Sequence, residues 1–218
     1  MWGGGSDGVR AGEEAGAVLT SSSAPQIIVI AGPNGAGKTS AAADLLRDAV
    51  GVHSFVNVDV IAEGLSGFRP EDAAFEAGRI MLARARELAE REEDFALEST
   101  LSGRTLATFL RRLAARGYER HIFYLWLPSA DLAVARVRLR VRTGGHDVPE
   151  SVIRRRFRRS LRNFDQLYRP SVTMWRLYDG SATVGRPLIA HGEGVREPTI
   201  LDPERWKLAR RQLEQDEQ

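Results

Sequence analysis

The sequence predicts a three-layer α/β sandwich, in which helices cover both faces of a mostly parallel sheet of about five strands. Two observations support this fold class. Short, almost continuously apolar runs alternate with longer helical patterns after residue 25, as expected for strands that are buried on both faces. A glycine-rich motif, Gly-x-x-x-x-Gly-Lys-Thr, directly follows the first apolar run and precedes an alanine-rich helical segment.

Each predicted strand is a short apolar run bounded by polar or turn residues. The five strands are expected at 27–31, 53–58, 95–97, 121–127 and 174–178. Helical patterns lie between them, at 40–50, 71–91, 104–116, 129–142 and 149–164. A late strand pair (187–190 and 195–201) and a terminal helix (203–214) complete the prediction. We expect residues 1–24, rich in Gly, Ser, Ala and Glu, to form a disordered tail, and residues 25–218 to form a single domain.

The glycine-rich motif, residues 32–39, reads Gly-Pro-Asn-Gly-Ala-Gly-Lys-Thr. The order of strand, glycine loop and helix N-terminus is typical of a phosphate-binding P-loop. Lys38 is expected to reach the β- and γ-phosphates of a nucleotide, and the Thr39 hydroxyl is expected to hold Mg²⁺. The predicted nucleotide-binding residues are Gly32, Pro33, Asn34, Gly35, Ala36, Gly37, Lys38, Thr39 and Ser40.

Composition excludes several other kinds of site. The chain has no cysteine, which excludes disulfides, thiolate metal sites and cysteine nucleophiles. Its four histidines do not have the spacing of metal ligands. No apolar run approaches the 18 residues of a membrane span, and the N-terminus lacks the pattern of a signal peptide. We therefore expect a cytoplasmic protein with no membrane partner, whose one metal is the Mg²⁺ of its nucleotide.

Two carboxylates follow predicted strands and are candidate site residues, because ligands bind at the carboxyl ends of parallel strands. Asp59 is a base or orienting group for an attacking hydroxyl, the N-cap of the next helix, or both. Glu98 is either a ligand of substrate hydroxyls or of Mg²⁺-bound water, or it faces solvent while Ser99 or Thr100 caps a helix. Asp179 ends the fifth strand in the same way.

Ten arginines occur between residues 136 and 162, on two helical patterns separated by a Thr-Gly-Gly-His turn. Arginines on a mobile helical hairpin can close over phosphates and neutralise charge on a transferred group. We therefore expect residues 136–164 to form an arginine-rich helical lid. A solvated face is the alternative for each single arginine. A nucleic-acid surface is disfavoured because only Phe157 and Phe164 supply aromatic rings there.

Several motifs together resemble the zeta-toxin family of P-loop kinases, in its shorter branch. Besides the P-loop, the matching motifs are Asn57-Val58-Asp59-x-Ile61-Ala62, Glu98-Ser99-Thr100-Leu101-Ser102-Gly103-Arg104, Arg142-x-Gly144-Gly145-His146-x-Val148-Pro149, Ile153-x-Arg155-Arg156-Phe157, Ser160-Leu161-x-Asn163-Phe164 and Leu177-Tyr178-Asp179. They extend from about residue 26 to 190. The chain departs from the family at Gly180, where an asparagine is usual.

The resemblance implies a kinase that moves the γ-phosphate of ATP, or of GTP, to an alcohol. In zeta toxins that alcohol is the sugar 3′-hydroxyl of UDP-N-acetylglucosamine, and a small antitoxin protein blocks the nucleotide site. By the same resemblance Asp59 is the general base and Lys38 the phosphate lysine. The acceptor residues would be Glu98, Thr100 and Arg104. Arg142 and one of Arg155 and Arg156 would clamp the γ-phosphate, and the spacing leaves open which of the two faces the site.

Two other functions are compatible with the same motifs. A polynucleotide kinase would use the basic hairpin to hold a strand. A nucleotide-dependent switch would bind the nucleotide without transferring its phosphate.

Overall fold

The computed structural model describes residues 24–46, 52–66, 73–145, 147–182 and 185–215. The tail expected at residues 1–24 therefore lies outside the described residues, apart from Ala24. Strands and helices alternate along the described chain. The strands are β1 (Gln26–Ala31), β2 (Ser54–Val56), β3 (Phe95–Ser99), β4 (Glu119–Trp126), β5 (Met174–Asp179), β6 (Leu188–Gly192) and β7 (Thr199–Ile200).

Seven α-helices are described. They are α1 (Lys38–Leu45), α2 (Val58–Leu65), α3 (Ala74–Glu90), α4 (Thr105–Ala114), α5 (Ala130–Arg142), α6 (Glu150–Asn163) and α7 (Pro203–Gln215). A π-helical turn (Phe164–Tyr168) and a 3₁₀ turn (Arg169–Ser171) continue α6 toward β5. Among the described residues, no helix is both long enough and apolar enough to cross a membrane.

All seven strands belong to one sheet with the order β2-β3-β1-β4-β5-β6-β7. The first five are parallel, while β6 and β7 pair antiparallel at one edge. The predicted fold class is confirmed, but the sheet has seven strands and not about five. The two additional strands, β6 and β7, come from the region of the predicted late strand pair and extend the parallel sheet at one edge.

The core lies on both faces of the sheet, as the apolar runs predict. In β1 every residue is buried; Ile27, Val29 and Ala31 pack on one face, and Ile28 and Ile30 pack on the other. This alternation follows from the two-residue period of a strand. The central strand is thus fixed from both sides, and the loop that follows it begins from a rigid support.

Two helix starts differ from the predictions made for Asp59 and for the residues after Glu98. Strand β2 ends at Val56, and Asp59 lies in the first turn of α2, so its expected place at a strand end is wrong. The N-cap of α2 is Asn57, not Asp59. The alternative in which Ser99 or Thr100 caps the next helix is also wrong, because α4 begins at Thr105.

Candidate active site

The P-loop joins β1 to α1 and packs tightly against the start of α5. Gly35 has φ of 77°, and a Cβ at this position would lie 2.7 Å from the carbonyl oxygen of Ala133. Only glycine combines this left-handed backbone with so close an approach. The N-cap of α1 is Gly37, which has no capping side chain. The first amides of α1 are therefore available to an anion, as at other phosphate-binding helix N-termini.

Lys38 is held over this loop. Its side chain is 6% exposed, and Nζ donates a hydrogen bond of 3.1 Å to the carbonyl oxygen of Pro33. The same Nζ lies 3.7 Å from Oε1 of Glu98. The ammonium is thus positioned by the loop itself and by a carboxylate from the neighbouring strand.

Glu98 is buried against the P-loop and does not face solvent, so that sequence-based alternative is wrong. Glu98 is 3% exposed. Oε2 accepts hydrogen bonds from Oγ1 of Thr39 at 2.8 Å and from Nδ2 of Asn57 at 3.0 Å. Glu98 therefore contacts the residue expected to bind Mg²⁺, a position that suits water ligands of the metal.

Asn57 was not among the predicted site residues. Its Oδ1 accepts hydrogen bonds from the backbone N–H groups of Asp59 at 2.8 Å and of Val60 at 3.4 Å. An asparagine directly after an apolar strand and two residues before an aspartate is a sequence signal for a helix N-cap. Its second contact, with Glu98, carries no local signal because the two residues are 41 positions apart.

One cavity of about 470 Å³ brings the P-loop together with both candidate carboxylates. The P-loop residues that line it are Asn34, Gly35, Gly37, Lys38, Thr39 and Ser40. Asp59, which is half-buried, and Glu98 border the same space. Helix α5 supplies the remaining lining residues, Arg136, Val137, Leu139, Arg140 and Thr143.

Two arginines of α5 line this cavity, and neither of them is Arg142, the α5 arginine that the resemblance assigns to the γ-phosphate. Arg136 and Arg140 line it, whereas Arg142 is exposed and borders a second cavity of about 390 Å³ with Asp147. Residues four apart share a helix face, and a residue two positions further along points roughly 200° around the axis. Arg136 also binds the carbonyl oxygens of Gly180 and Ser181. His146, in the turn after α5, lies outside the described residues.

The two adjacent arginines on α6 differ in burial and in their surroundings. Arg155 is exposed, while Arg156 is partly buried and interacts electrostatically with the Asp59 carboxylate. Burial lowers the pKa of Arg156, the Asp59 carboxylate raises it, and the neighbouring Arg155 lowers it. Because arginine has a very high pKa, it stays charged at neutral pH. The base candidate thus has a cation beside it.

Comparison with known proteins places the chain in a family. Residues 27–167 match the model of the AAA domain family, AAA_33. The chain belongs to this family. An uncharacterized protein of Haemophilus influenzae is 28% identical to this AAA domain over 130 residues, which are 60% of this chain and 91% of the relative.

Solved structures of similar fold include the AvrRxo1-ORF1:AvrRxo1-ORF2 complex with sulphate ions, with a TM-score of 0.62 and 18% identity. The match covers 84% of this chain and 63% of that protein, so this chain spans less than two thirds of its length. The PezAT toxin-antitoxin system of Streptococcus pneumoniae gives a TM-score of 0.59 at 14% identity, covering 90% of this chain and 89% of that one. These likenesses concern the fold, and the kinase-like P-loop fold implied by the zeta-toxin resemblance is confirmed.

The loop between β3 and α4 is hydrogen-bonded to the C-terminal part of α6 and to the π-helical turn that follows it. Its backbone carbonyls accept hydrogen bonds from Ser160 Oγ (Thr100 O, 2.6 Å), Asn163 Nδ2 (Leu101 O, 2.7 Å) and Tyr168 OH (Gly103 O, 2.9 Å). Two of the predicted acceptor residues, Thr100 and Arg104, lie on this loop, and neither lines the P-loop cavity. Arg104 is exposed, and Thr100 Oγ1 is 2.9 Å from Ser102 Oγ.

The end of β5 packs against the P-loop. A Cβ on Gly180 would lie 2.9 Å from the carbonyl oxygen of Trp126 and 3.1 Å from that of Ala36. Asp179 is buried, and it accepts hydrogen bonds from the Ser181 backbone at 2.7 Å and from Arg205 Nε at 2.8 Å. Asp179 therefore joins α7 to the sheet, and Gly180 leaves room for the loop.

Proposed function

We propose that this protein is an ATP-dependent phosphotransferase of zeta-toxin type that transfers the γ-phosphate to an alcohol of a small molecule. The observation that carries the proposal is the set of residues around the P-loop cavity. It contains the P-loop with Lys38 and Thr39, the half-buried carboxylate of Asp59, and Glu98. A phosphoryl-transfer site needs these parts: a phosphate cradle, a metal ligand and a base beside the cradle.

The residues present fit Mg²⁺ as the metal of the nucleotide. Hydroxyl and carboxylate oxygens are the ligands that Mg²⁺ prefers, and the ion usually keeps several waters. Thr39 Oγ1 would bind it directly, and Glu98 would accept hydrogen bonds from its waters. When bound, the metal would neutralise charge on the β- and γ-phosphates.

Asp59 is proposed as the base for the acceptor hydroxyl. As the acceptor oxygen forms its bond to the γ-phosphorus, the bond from that phosphorus to the β–γ bridging oxygen breaks and ADP leaves. The hydroxyl proton passes to the Asp59 carboxylate. Lys38 and Arg140 would face the phosphate oxygens, where positive charge placed in advance stabilises the transition state. Arg156 would orient the Asp59 carboxylate.

The acceptor and the biological role rest on the resemblance and on the structural neighbours. UDP-N-acetylglucosamine is proposed as acceptor. By the resemblance Glu98, Thr100 and Arg104 would bind it, and of these three Glu98 lines the P-loop cavity. The domain is proposed as a toxin that a small antitoxin protein inhibits. The PezAT match supports this role, because that protein is part of a toxin-antitoxin system. A second structure of the AvrRxo1 complex contains ATP, which supports ATP as the donor.

The direct test is a transfer assay. The purified chain would be incubated with γ-³²P-labelled ATP, Mg²⁺ and UDP-N-acetylglucosamine, and the products separated by chromatography. We expect a labelled sugar nucleotide with the native chain and none with Lys38→Ala. Label on a different small alcohol would keep the kinase and discard this acceptor. Tight nucleotide binding with no phosphorylated product from any alcohol would favour the switch function.

A polynucleotide acceptor is the second candidate, and one observation favours it. Arg155, Arg158 and Arg159 are exposed on α6, and none makes an ion pair within the part of the chain that the structure describes. These positions fall within about 100° of the helix circumference. Binding of a polyanion there would weaken steeply as salt rises, with a slope set by the number of phosphates contacted. A salt slope near zero for an oligonucleotide would remove this candidate.

A further inference from the structure

We propose that Asn57 is a positioning residue for the phosphoryl transfer. It joins helix α2, which carries Asp59, to the Glu98 carboxylate, which orients Thr39. The inference rests on the proposed function for its kinetic consequence. Its structural part concerns only the contacts of one buried amide. The sequence motifs assign Asn57 no role beyond its place before Asp59.

The amide of Asn57 bridges two parts of the site that come from different elements. On one side Oδ1 accepts the backbone N–H of Asp59 at 2.8 Å. On the other side Nδ2 donates to Glu98 Oε2 at 3.0 Å, and the same oxygen accepts the Thr39 hydroxyl at 2.8 Å. A continuous chain of hydrogen bonds therefore runs from the base candidate to the metal-ligand candidate.

The chemistry of the two neighbours requires an amide at this position. A backbone N–H can only donate, and an ionised carboxylate can only accept. The bridging side chain must therefore accept at one end and donate at the other. Aspartate has the same shape but would present a second carboxylate to Glu98. Serine can cap α2, but its single oxygen is too close to the backbone to reach Glu98 as well.

The hydrogen bonds of the Asn57 amide are buried, so their loss would have a large effect. Asn57 is 8% exposed and Glu98 is 3% exposed, so water cannot readily replace either partner. A hydrogen bond is electrostatically stronger in such surroundings, and a group left without its partner is costly. Glu98 has the Thr39 hydroxyl and the Asn57 amide as its two donors in this network. Loss of the amide would leave the orientation of the carboxylate, and with it that of Thr39, to fewer contacts.

A pair of substitutions separates this role from that of a simple helix cap. Asn57→Ser keeps the cap and loses the bond to Glu98, whereas Asn57→Ala loses both. We expect Asn57→Ser to lower Tm less than Asn57→Ala does, because serine keeps the cap, while kcat falls about 10–100-fold, as for other residues that orient metal ligands. KM for the acceptor should stay nearly constant. Asn57→Ala should lower Tm further, because it loses the cap as well as the bond to Glu98.

Calorimetry of nucleotide binding supplies a readout that does not need phosphate transfer. We expect Asn57→Ser to weaken binding of ATP with Mg²⁺ about 10-fold and to leave binding of ATP without metal unchanged. The matched control is Ser129→Ala, which removes the cap of α5, where Ser129 Oγ accepts the Leu132 N–H at 3.1 Å. That variant should lower Tm without changing the effect of Mg²⁺.

The two readouts also separate this inference from the proposed function. A chain that phosphorylates no alcohol but shows the Mg²⁺-dependent binding defect in Asn57→Ser would overturn the kinase and keep the bridge. If Asn57→Ser equals the native chain in both kcat and Mg²⁺ dependence, Asn57 is only a helix cap and the inference is wrong.

Discussion

The hydroxyl of Thr39 donates a hydrogen bond of 2.8 Å to Oε2 of Glu98, which joins the P-loop to the neighbouring strand β3. Glu98 also lies 3.7 Å from the ammonium of Lys38. One buried carboxylate thus contacts both P-loop side chains that are proposed to handle phosphate and metal. Its charge and its acceptor capacity can be tested separately from its volume.

Glu98→Gln removes the charge and keeps the shape. We expect a decrease of about 10–100-fold in apparent Mg²⁺ affinity or in kcat, since residues that orient metal ligands have effects of this size. The measurement is a titration of activity with Mg²⁺ at fixed ATP. The control is Glu63→Gln, on an exposed position of α2, which should behave as the native chain does. An unchanged titration for Glu98→Gln would remove Glu98 from the metal site.

Asp59→Asn should reduce kcat by about 10²–10⁴-fold, the usual contribution of a general base. The hydrogen bond from the residue 59 backbone to Asn57 does not depend on the side chain, so α2 should keep its cap. Nucleotide binding, measured by calorimetry, should therefore be retained. Native turnover in this variant would contradict the assignment of Asp59.

The arginines offer two matched pairs. Arg156→Gln and Arg140→Gln should both lower kcat more than they weaken nucleotide binding, because Arg156 interacts electrostatically with Asp59 and Arg140 lines the P-loop cavity. Arg155→Gln and Arg142→Gln change exposed neighbours of these residues and should have small effects. Steady-state kinetics of the four variants decides the question. The reverse pattern within either pair would show that the inward-facing arginine was chosen wrongly.

Gly180→Ala should destabilise the domain and weaken nucleotide binding. The added Cβ would lie 2.9 Å from Trp126 O and 3.1 Å from Ala36 O, and overpacking of this kind costs about 1–3 kcal/mol. Gly78→Ala is the control, since Gly78 lies inside α3 with no atom within 4 Å of the new Cβ. That change should raise the free energy of unfolding by about 0.4–1 kcal/mol. Urea denaturation measures both, and equal effects would refute the packing argument.

Stability should decrease at mildly acidic pH because of His121. Burial lowers the pKa of this histidine below 6.5, Glu119 opposes the shift, and Arg176 and Arg120 add to it. Below pH 6.5 the unfolded chain binds the proton more readily than the folded chain does. The contribution of His121 to the free energy of unfolding is therefore fully present above pH 6.5, and it is lost as pH falls through the folded-state pKa.

The check is urea denaturation of the native chain and of His121→Gln between about pH 5 and 8, the range in which histidine titrates. The slope with pH should be smaller in His121→Gln. His53→Gln, which changes an exposed histidine, should keep the native slope. An identical pH profile for His121→Gln would show that another group causes the dependence.

The central strands and the P-loop could be predicted because their signals are local. Buried runs such as Ile27–Ala31 are apolar on both faces, and the glycine motif fixes the loop that follows. The edge of the sheet was less predictable. Strand β7 contains only Thr199 and Ile200, both exposed, and so short a run has no periodicity to read.

Some residues of the site could be predicted and others could not, again because only some of their signals are local in the sequence. Lys38, Thr39, Asp59 and Glu98 could be selected by motif and position, and the structure places them around one cavity. Arg140 could not be distinguished from Arg142, since that choice depends on which face of α5 packs on the P-loop. The contact of Asn57 with Glu98 depends on the pairing of β2 with β3, a long-range feature that a single sequence does not reveal.

The three hydrogen bonds from Ser160, Asn163 and Tyr168 to the 100–104 loop fix where α6 can pivot. Its C-terminal end is fastened to this loop, whereas ion pairs of Glu150 with Arg138 and of Arg154 with Asp131 hold its N-terminal end to α5. A tilt of α6 that breaks these ion pairs would have its fulcrum at the C-terminal end and its largest travel at Glu150. With 14 residues in the helix, that lever is about 20 Å long, and a rotation of roughly 15° would sweep its tip through about 5 Å. Arg156 lies halfway along α6 and would move about half as far. A small tilt of α6 would therefore change the distance between Arg156 and Asp59.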